Sequence, residues 1–422
     1  MRTVEEHQRV VAGLITGRPP VGLPLSDALG LVLAEDVVAP LSLPGFDNSA
    51  MDGYAVVADD VAAATPEQPV LLPVAEDIPA GRTDPLILKP GTAHRIMTGA
   101  PVPTGATAVV PVEATDGATD TVSIQATAKA GQHIRRAGED VTAGTAVLRA
   151  GQVLTPAALG LAAALGLGEL KVVPRQRVLV MSTGSELVAP GTPLQPGQIY
   201  ESNAVMLAAA VRDAGAHVVA APMTGDDVAT FRDALSHHAG DADLIITTGG
   251  VSAGAYEVVK DALGAGGPTT SGVGPATSGG SGEVDFVKVA MQPGMPQGAG
   301  RLSTGTSIVT LPGNPVSALV SFEIFVRPAI RKLLGKRNVQ RATVQAAALE
   351  RIESPAGVRQ FRRGVLHREA TGGYSVSLVG GPGSHLIASM ASANCLVQID
   401  EEVTEVVAGA RVTVLPLLLS SR

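Results

Sequence analysis

The stretches VLVMSTGSEL (178–187), LIITTGGVSAG (244–254) and SIVTLPGNPVSA (307–318) decide the fold of this chain. Each begins with an apolar, β-branched run and ends in a turn of small residues. In a parallel α/β sheet such turns follow the carboxyl ends of the strands, where helix amino termini and free backbone N–H groups converge. Together they predict a seat for a phosphate-bearing ligand, although the glycines of any single turn could serve only to make it tight.

Strand and helix patterns alternate around these turns from 174 to 335. Such alternation predicts a central three-layer α/β domain, with a parallel sheet covered by helices on both faces. The segment 264–282 is nearly all Gly, Ser, Thr, Pro and Ala, which predicts a flexible insertion. The predicted strands are 178–181, 217–221, 243–248, 284–291 and 307–311, and the predicted helices are 202–214, 227–238, 255–263 and 315–334.

The chain before this domain is predicted to form two interleaved parts. The capping box at 3–6 opens an amphipathic helix ending near Gly17, and further helices are predicted at 26–35 and 155–165. These give a helical N-terminal domain of 1–36 and 140–173. Between its two pieces, apolar runs broken by Pro and Gly predict a β-rich domain over 37–139.

The chain after it is predicted to be a small C-terminal β-barrel over 338–420, because short strands alternate there with turns. The whole is thus a multi-domain α/β plus β protein. Its 422 residues are consistent with roughly three domains of ordinary size.

Composition excludes some classes of function. The formal charge of −8 disfavours long polyanions, and six Phe, four Tyr and no Trp offer few platforms for stacking bases. Cys395 is the single cysteine, so no intrachain disulfide can form and a reducing compartment is expected. With no signal-peptide pattern after Met1 and no apolar run of about 18 residues, we expect a cytoplasmic protein.

The most distinctive string is PGFDNSAMDGYAV (44–56), which places Asp47, Asn48, Asp52 and Tyr54 among turn-forming residues. By itself it fits either a hydrogen-bonded surface loop or a polar loop that faces a ligand. It is followed in order by IMTGAPVP (96–103), IRRAGEDV (134–141), STGSEL, TTGGVSAG, PGNPVSAL and GSH…SANC (383–395). This ordered set closely resembles the molybdopterin molybdenumtransferases, the MoeA-type molybdenum insertases that include the E domain of gephyrin.

The resemblance implies the last step of molybdenum cofactor synthesis. Family members bind adenylylated molybdopterin, insert molybdate at the dithiolene sulfurs and hydrolyse the pyrophosphate bond to release AMP, with a divalent metal taken here as Mg²⁺. It also implies a MogA-like central domain and a homodimer whose active site is shared between subunits. No nucleic acid or membrane partner is expected.

The resemblance assigns catalytic acids to positions 186, 226, 52 and 140. Glu186 and Asp226 are expected at the metal and the pyrophosphate, with Asp227 as a neighbouring metal ligand, because Mg²⁺ is usually held by one or two carboxylates plus phosphate and water. From the residues alone, Glu186 could instead be a first-turn helix acid and Asp226 a helix N-cap. Asp52 and Asp140 are expected to reach the site from the partner subunit, together with Thr98.

The remaining expected contacts recognise the ligand. Lys288, Arg359 and Ser384 are candidate donors to molybdate, although each could equally be a solvated surface residue. Family members often read KPGKP where this chain has Gln292 to Pro296, so both lysines are replaced, by Gln292 and Met295. The predicted cradle for phosphate and pterin consists of Thr183, Gly184, Gly249, Gly250, Ser252, Gly313, Asn314 and Ser317.

Two alternatives to the insertase remain at this stage. One is a related hydrolase of nucleotide pyrophosphates that handles no molybdate, which the replaced lysines keep open. The other is a non-catalytic molybdopterin-binding scaffold. Four retained acids argue against a scaffold, which would not need them.

Overall fold

A computed structural model describes residues 1–250, 258–263, 284–336, 338–370 and 372–417. The chain divides into two compact units, one of Met1–Val21 with Val173–Arg422 and one of Gly22–Val172. The predicted insertion 264–282 and Ser252 lie outside the described residues. In the part that is described, every helix is too short or too polar to cross a bilayer.

The first unit contains the predicted α/β sheet. Its three turn-bearing strands are neighbours and parallel: Leu244–Thr248 lies between Arg177–Thr183 and Ser307–Leu311. Because parallel neighbours end at the same edge, the turns after these strands come together as the sequence predicts. From one edge to the other the strand order is His217–Ala220, Arg177–Thr183, Leu244–Thr248, Ser307–Leu311, Pro296–Arg301 and Val284–Lys288, and the short strand Met223–Thr224 also pairs with Arg177–Thr183.

One edge of the sheet differs from the prediction of an all-parallel sheet. The strand Pro296–Arg301, which the sequence analysis missed, runs antiparallel to both Ser307–Leu311 and Val284–Lys288. Its sequence, PQGAGR, has no apolar alternation and so gives no strand signal. Gly298 is needed there, because a Cβ at that position would lie 2.1 Å from Thr310 Oγ1.

Helices cover both faces of the sheet, which confirms the three layers. Alternate residues of each strand point to opposite faces: Val178 and Val180 belong to one apolar core, and Leu179 and Met181 belong to the other. The helices on the first face are Val4–Leu14, Asn203–Ala214, Pro315–Ser321 and Arg327–Leu333, the last two joined by a π-helical turn over Phe322–Val326, and those on the second face are Val228–Ala239 and Val258–Leu263.

The C-terminal region is a closed barrel, as predicted. Its strands pair in a ring, because Arg359–Arg368 bonds to both the first and the last of the other strands. In ring order they are Arg359–Arg368, Tyr374–Leu378, Val344–Ala348, Arg411–Pro416 and Cys395–Ile399. Accessory elements are the strand pair Ile352–Glu353 with Glu405–Val406, the strand Met291–Gln292 and the helix Ile387–Ser392.

The second unit is β-rich, as expected for 37–139. It holds a sheet with the order Ala108–Pro111, Gly53–Val56, Ala93–Ile96, Val70–Ile78 and Thr121–Ile124, and the two-stranded pairs Asn48–Ser49 with Ile134–Arg135 and Val37–Val38 with Ala146–Leu148. A further sheet has Glu169–Val173 between Val21–Pro24 and Val32–Leu33, and the helix Pro156–Ala164 begins at the predicted Thr155 cap.

The predicted helical N-terminal domain needs two corrections. The helix expected at 26–35 is instead a 3₁₀ turn, Leu25–Asp27, followed by the strand Val32–Leu33. Gly30 interrupts it at φ 74°, and Leu33 N–H donates to Gln152 O, so strand pairing replaces the helix. The first helix, Val4–Leu14, has the predicted capping box but packs into the core of the α/β sheet.

Candidate functional site

The three turns line one cleft of about 1150 Å³ in the first unit. Their residues follow the carboxyl ends of the parallel strands, so backbone N–H groups are presented at one edge of the sheet. Ser384, the expected molybdate donor, also lines it, and the predicted cradle residues that line it are Thr183, Gly184, Gly249, Gly250, Gly313, Asn314 and Ser317.

The glycines of these turns bring the backbones close together. A Cβ on Gly249 would lie 2.6 Å from the carbonyl oxygen of Thr183, and one on Gly313 would lie 3.4 Å from Cα of Gly249. Gly249 and Gly250 also have φ values of 93° and 62°, which other residues rarely adopt. A larger residue at position 249 would therefore push two turns apart, so the glycines shape the cleft as well as the turns.

Asn203, a residue that the sequence analysis did not assign to the site, ties two turns together. Its side-chain amide donates to Thr248 Oγ1 at 2.8 Å and to Gly313 O at 2.6 Å. Asn203 begins the helix Asn203–Ala214, whose first turn is capped by Glu201 Oε1, 2.7 Å from Ala204 N. The predicted start of a helix at 202 was the available sequence signal for Glu201 and Asn203, and it did not assign either residue to the cleft.

Glu186 and Asp226 both line the cleft, as expected. The carboxylate of Glu186 lies over Gly184, where a Cβ would come within 2.7 Å of Oε2. Asp226 Oδ2 accepts from Ser185 N at 2.9 Å, and Ser185 Oγ accepts from Asp226 N at 3.1 Å. This reciprocal pair fixes the two loops to each other, and neither acid is neutralised by an ion pair within the described residues.

Asp227 does not join these acids. Its Oδ2 caps the helix Val228–Ala239, accepting from Thr230 N and Oγ1 at 2.7 Å each, and these bonds lower the pKa of Asp227. Asp227 lies outside the cleft lining and the helix start uses its Oδ2, so its place as a metal ligand stays a prediction that the structure does not favour. Across the described parts of the chain, no three His, Cys, Asp or Glu side chains are grouped so that they could hold a metal ion.

The expected cationic donors are placed elsewhere. Lys288 is exposed at the end of a sheet strand and is outside the cleft lining. Arg359 forms ion pairs with Glu5 and with Glu401, so its charge is already compensated. The described lining of the cleft contains no Lys or Arg, whereas it contains the three carboxylates of Glu186, Glu201 and Asp226.

The arginine behind the Ser384 loop is Arg363, which the sequence analysis did not assign. It is buried, and its guanidinium donates to the carbonyl oxygens of Gly381 and Gly383. Ser384 Oγ in turn accepts from Asn314 Nδ2 at 2.9 Å, which joins this loop to the third turn. Gln292 and Met295, at the positions of the family lysines, both line the cleft, so those two charges are absent from it.

The acids expected from the partner subunit lie in the second unit. Asp52 Oδ1 accepts from Thr98 N at 2.6 Å and from Thr98 Oγ1 at 2.8 Å, and these bonds lower the pKa of Asp52. Asp140 is exposed. Its loop is held by Asp47, whose carboxylate accepts from Arg136 and from Ala137 N. The string 44–56 therefore includes the strands Asn48–Ser49 and Gly53–Val56, and the turn between them presents the exposed Asp52.

The fold and the cleft define the class to which the protein belongs. Residues 179–332, which carry the turns, match the family model described as a probable molybdopterin binding domain. Residues 2–166 match the MoeA N-terminal region (domain I and II), and residues 345–417 match the MoeA C-terminal region (domain IV). Together these matches span most of the chain.

Similar proteins are known at full length. The chain is 63% identical over 414 residues to molybdopterin molybdenumtransferase 2 of Mycobacterium tuberculosis (98% of this chain, 99% of the relative) and 39% identical to molybdopterin molybdenumtransferase 1 of the same organism (94% and 95%). A solved molybdopterin biosynthesis MoeA protein from Pyrococcus horikoshii matches with a TM-score of 0.79 and 28% identity, over 99% of both chains. The chain therefore belongs to the MoeA-type molybdopterin molybdenumtransferase family, and these matches favour that interpretation over both alternatives.

Proposed function

We propose that this protein inserts molybdate into adenylylated molybdopterin and hydrolyses its pyrophosphate bond, releasing AMP and the molybdenum cofactor. The observation that carries the proposal is the cleft, in which three turns present backbone N–H groups beside two carboxylates that have no ion-pair partner in the described residues. Family membership supports the same reaction, because the relatives bear the name molybdopterin molybdenumtransferase.

Mg²⁺ fits this donor set. Glu186 and Asp226 would hold the ion, and the substrate's phosphate oxygens and water would complete its shell, since Mg²⁺ is usually bound by one or two carboxylates plus phosphates. When bound, the ion supplies charge neutralisation on the pyrophosphate oxygens. The shortage of Lys and Arg in the described lining supports this requirement, because a polyanion would otherwise face three carboxylates.

The chain's own groups position the substrate. The N–H groups of Gly184 and Gly249 already donate to the carbonyl oxygens of Thr224 and Leu311. The N–H groups of Gly250, Gly313 and Asn314 would therefore donate to phosphate and pterin oxygens, and the hydroxyls of Ser317 and Ser384 extend this set. Asn203 holds the second and third turns at a fixed separation, and Arg363 holds the Ser384 loop. Because Asn203 and Arg363 already hold the turns and the loop in place, little reorganisation is required when the substrate binds.

The shared active site is also part of the proposal. In a homodimer, Asp52, Thr98 and Asp140 of one subunit would serve the cleft of the other. The ordered Asp52–Thr98 pair supports this role, since a carboxylate held by two donors stays ionised and aimed at neutral pH. A cytoplasmic location, expected from the single cysteine, stays a prediction.

The test uses the purified full-length chain with adenylylated molybdopterin, Mg²⁺ and molybdate. AMP is measured by chromatography, and active cofactor is measured by reconstitution of a molybdenum-dependent apoenzyme. We expect both products, and we expect both to disappear when the divalent metal is chelated. AMP release without any cofactor would instead indicate a plain pyrophosphate hydrolase, and neither product would refute the proposal.

A further inference from the structure

A second cavity, of about 800 Å³, lies at the open end of the C-terminal barrel. It shares Gln292, Pro355 and Pro382 with the cleft, so the two spaces adjoin. Two of its residues, Gln360 and Arg362, share one set of every-second positions with Gly364 and Leu366 along the strand Arg359–Arg368, and Leu366 packs against the barrel core. Because alternate residues of a strand share a face, both polar side chains lie on the inward face of the barrel.

Two buried polar groups in this cavity have no partner within the described part of the protein. Gln360 is 3% exposed and its side-chain oxygen accepts no hydrogen bond, while Ser354 is 8% exposed and its hydroxyl is likewise unpaired. Burying such a group without a hydrogen bond is costly, because its bonds to water are lost and not replaced. The amide and the hydroxyl therefore remain available to a ligand, and either amide end of Gln360 can face it.

Arg362 is the charged group that distinguishes this cavity. Its side chain makes no ion pair and no hydrogen bond within the described residues, and burial lowers its pKa. The acid that faces it, Glu350, accepts from Leu378 N at 2.8 Å. The other arginine of the lining, Arg351, is instead paired with Glu405 at 2.9 Å and Glu353 at 3.6 Å.

We propose that the open end of the barrel is an oxyanion site, in which Arg362, Gln360, Ser354 and Gln292 hold a tetrahedral dianion of the molybdate class beside the cleft. A guanidinium, two amides and a hydroxyl supply the N–H and O–H donors that such an anion requires. Glu350 and Glu353 also line this cavity, but Glu350 accepts from Leu378 N and Glu353 is paired with Arg351. The anion is kept apart from the three carboxylates of the cleft, which would repel it until a divalent metal is bound. That the natural anion is molybdate rests on the proposed function.

Equilibrium dialysis of the full chain against molybdate, without molybdopterin, tests the site directly. Bound molybdenum is measured by mass spectrometry, and sulfate is the competing probe. We expect Arg362→Gln to weaken molybdate binding at least about tenfold, because it removes a charge-assisted donor. Arg362→Lys should retain part of the affinity, since it keeps the charge without the planar fork.

Arg351→Gln is the matched control, because it removes an already paired charge from the same cavity. It should leave molybdate binding within about twofold, since an exposed ion pair contributes little. Equal losses in both variants would indicate only a general effect of positive charge and would overturn the site, as would no loss in either. If Arg362→Gln fails to fold, the molybdate affinity of the Arg362→Lys variant and the sulfate competition on the unmodified chain decide whether the cavity binds the anion.

Activity assays separate this proposal from the proposed function. With Arg362→Gln, the molybdate concentration for half-maximal insertion should rise about tenfold, whereas the rate of AMP release at saturating molybdate should not change. A chain that neither releases AMP nor inserts molybdenum would refute the proposed function, while dialysis would still judge the oxyanion site.

Discussion

The cleft of the α/β domain and the open end of the barrel share three residues, yet among their described lining residues only the barrel cavity has arginines to balance its acids. The cleft has backbone N–H groups and three carboxylates, with no Lys or Arg in its described lining. The open end of the barrel has an unpaired Arg362 beside buried amide and hydroxyl groups. Under the proposals above, the acidic cleft would hold the divalent metal with the substrate's pyrophosphate, and a separate cation would meet the free oxyanion.

Glu186→Gln and Asp226→Asn give the sharpest test of the acidic side of this comparison. Each removes one charge and little volume from the cleft, so we expect AMP release to fall more than about 100-fold as metal stabilisation of the transition state is lost. Activity is measured across a Mg²⁺ titration. Rates within a few-fold of the unmodified chain for both variants would show that these carboxylates do not hold the metal.

Asp227→Asn is the control for that test, since Asp227 is the neighbouring acid that caps a helix. It should change the free energy of unfolding by about 1 kcal/mol or less and leave the Mg²⁺ dependence of AMP release unchanged. A loss of AMP release as large as that of Asp226→Asn would show that Asp227 also holds the metal.

Asn203→Ala tests whether the cleft depends on turns held at a fixed distance. Losing the two amide bonds to Thr248 and Gly313 should let the turns separate, raising the KM for adenylylated molybdopterin about tenfold. Steady-state kinetics should show a smaller change in kcat, because the carboxylates are untouched. A variant with unchanged KM would mean that glycine packing alone sets the spacing.

Restoring lysines at positions 292 and 295 would make the two cavities more alike in charge. Gln292→Lys with Met295→Lys adds two positive charges to the cleft lining, so the molybdate concentration for half-maximal insertion should fall several-fold. AMP release should change much less. Should the molybdate requirement stay the same or rise, the oxyanion in this protein does not depend on these two positions.

His7, which is buried in the first unit, limits the pH range in which the two cavities can be compared, because its titration changes the stability of the fold. Its ring packs edge-on against Phe325 at 4.7 Å, Arg2 and Asp285 are the charged groups beside it, and burial lowers its pKa to about 4. In the unfolded chain His7 takes up a proton near pH 6.5, whereas in the folded chain it does so only near pH 4. The His7 contribution to stability should therefore fall between about pH 6.5 and 4, by on the order of 3 kcal/mol, and stay constant below that range, where carboxylates with lowered pKa values such as Asp52 take over the acid loss of stability.

Replacing His7 by Leu checks this account, because it removes the titrating ring and keeps an apolar side chain in the core. Urea denaturation at several pH values should show a flatter acid limb for the variant and no difference in slope above pH 7. An unchanged acid limb would assign the loss of stability to other groups.

Much of the fold follows from local sequence signals. The capping box at Thr3, the Thr155-Pro156 start and Gly215 at the end of the helix Asn203–Ala214 each specify their own backbone geometry, and the structure has all of them. The strand Pro296–Arg301 and the strand Val32–Leu33 escaped prediction. Their pairing depends on partners distant in sequence, which outweigh weak local preference.

The sequence by itself determined the family, the three-layer domain, the barrel and the placement of Glu186 and Asp226, because ordered motifs and hydrophobic periodicity are properties of the chain alone. Only the tertiary structure decided which charges are free. Asp227 is used by a helix start, Arg359 by two glutamates and Arg363 by loop carbonyls, whereas Arg362 is left without a partner among the described residues. Whether a charged side chain is available to a ligand depends on its neighbours in space. The alternation of side chains along strands and the connections between elements bring those neighbours together from distant parts of the sequence.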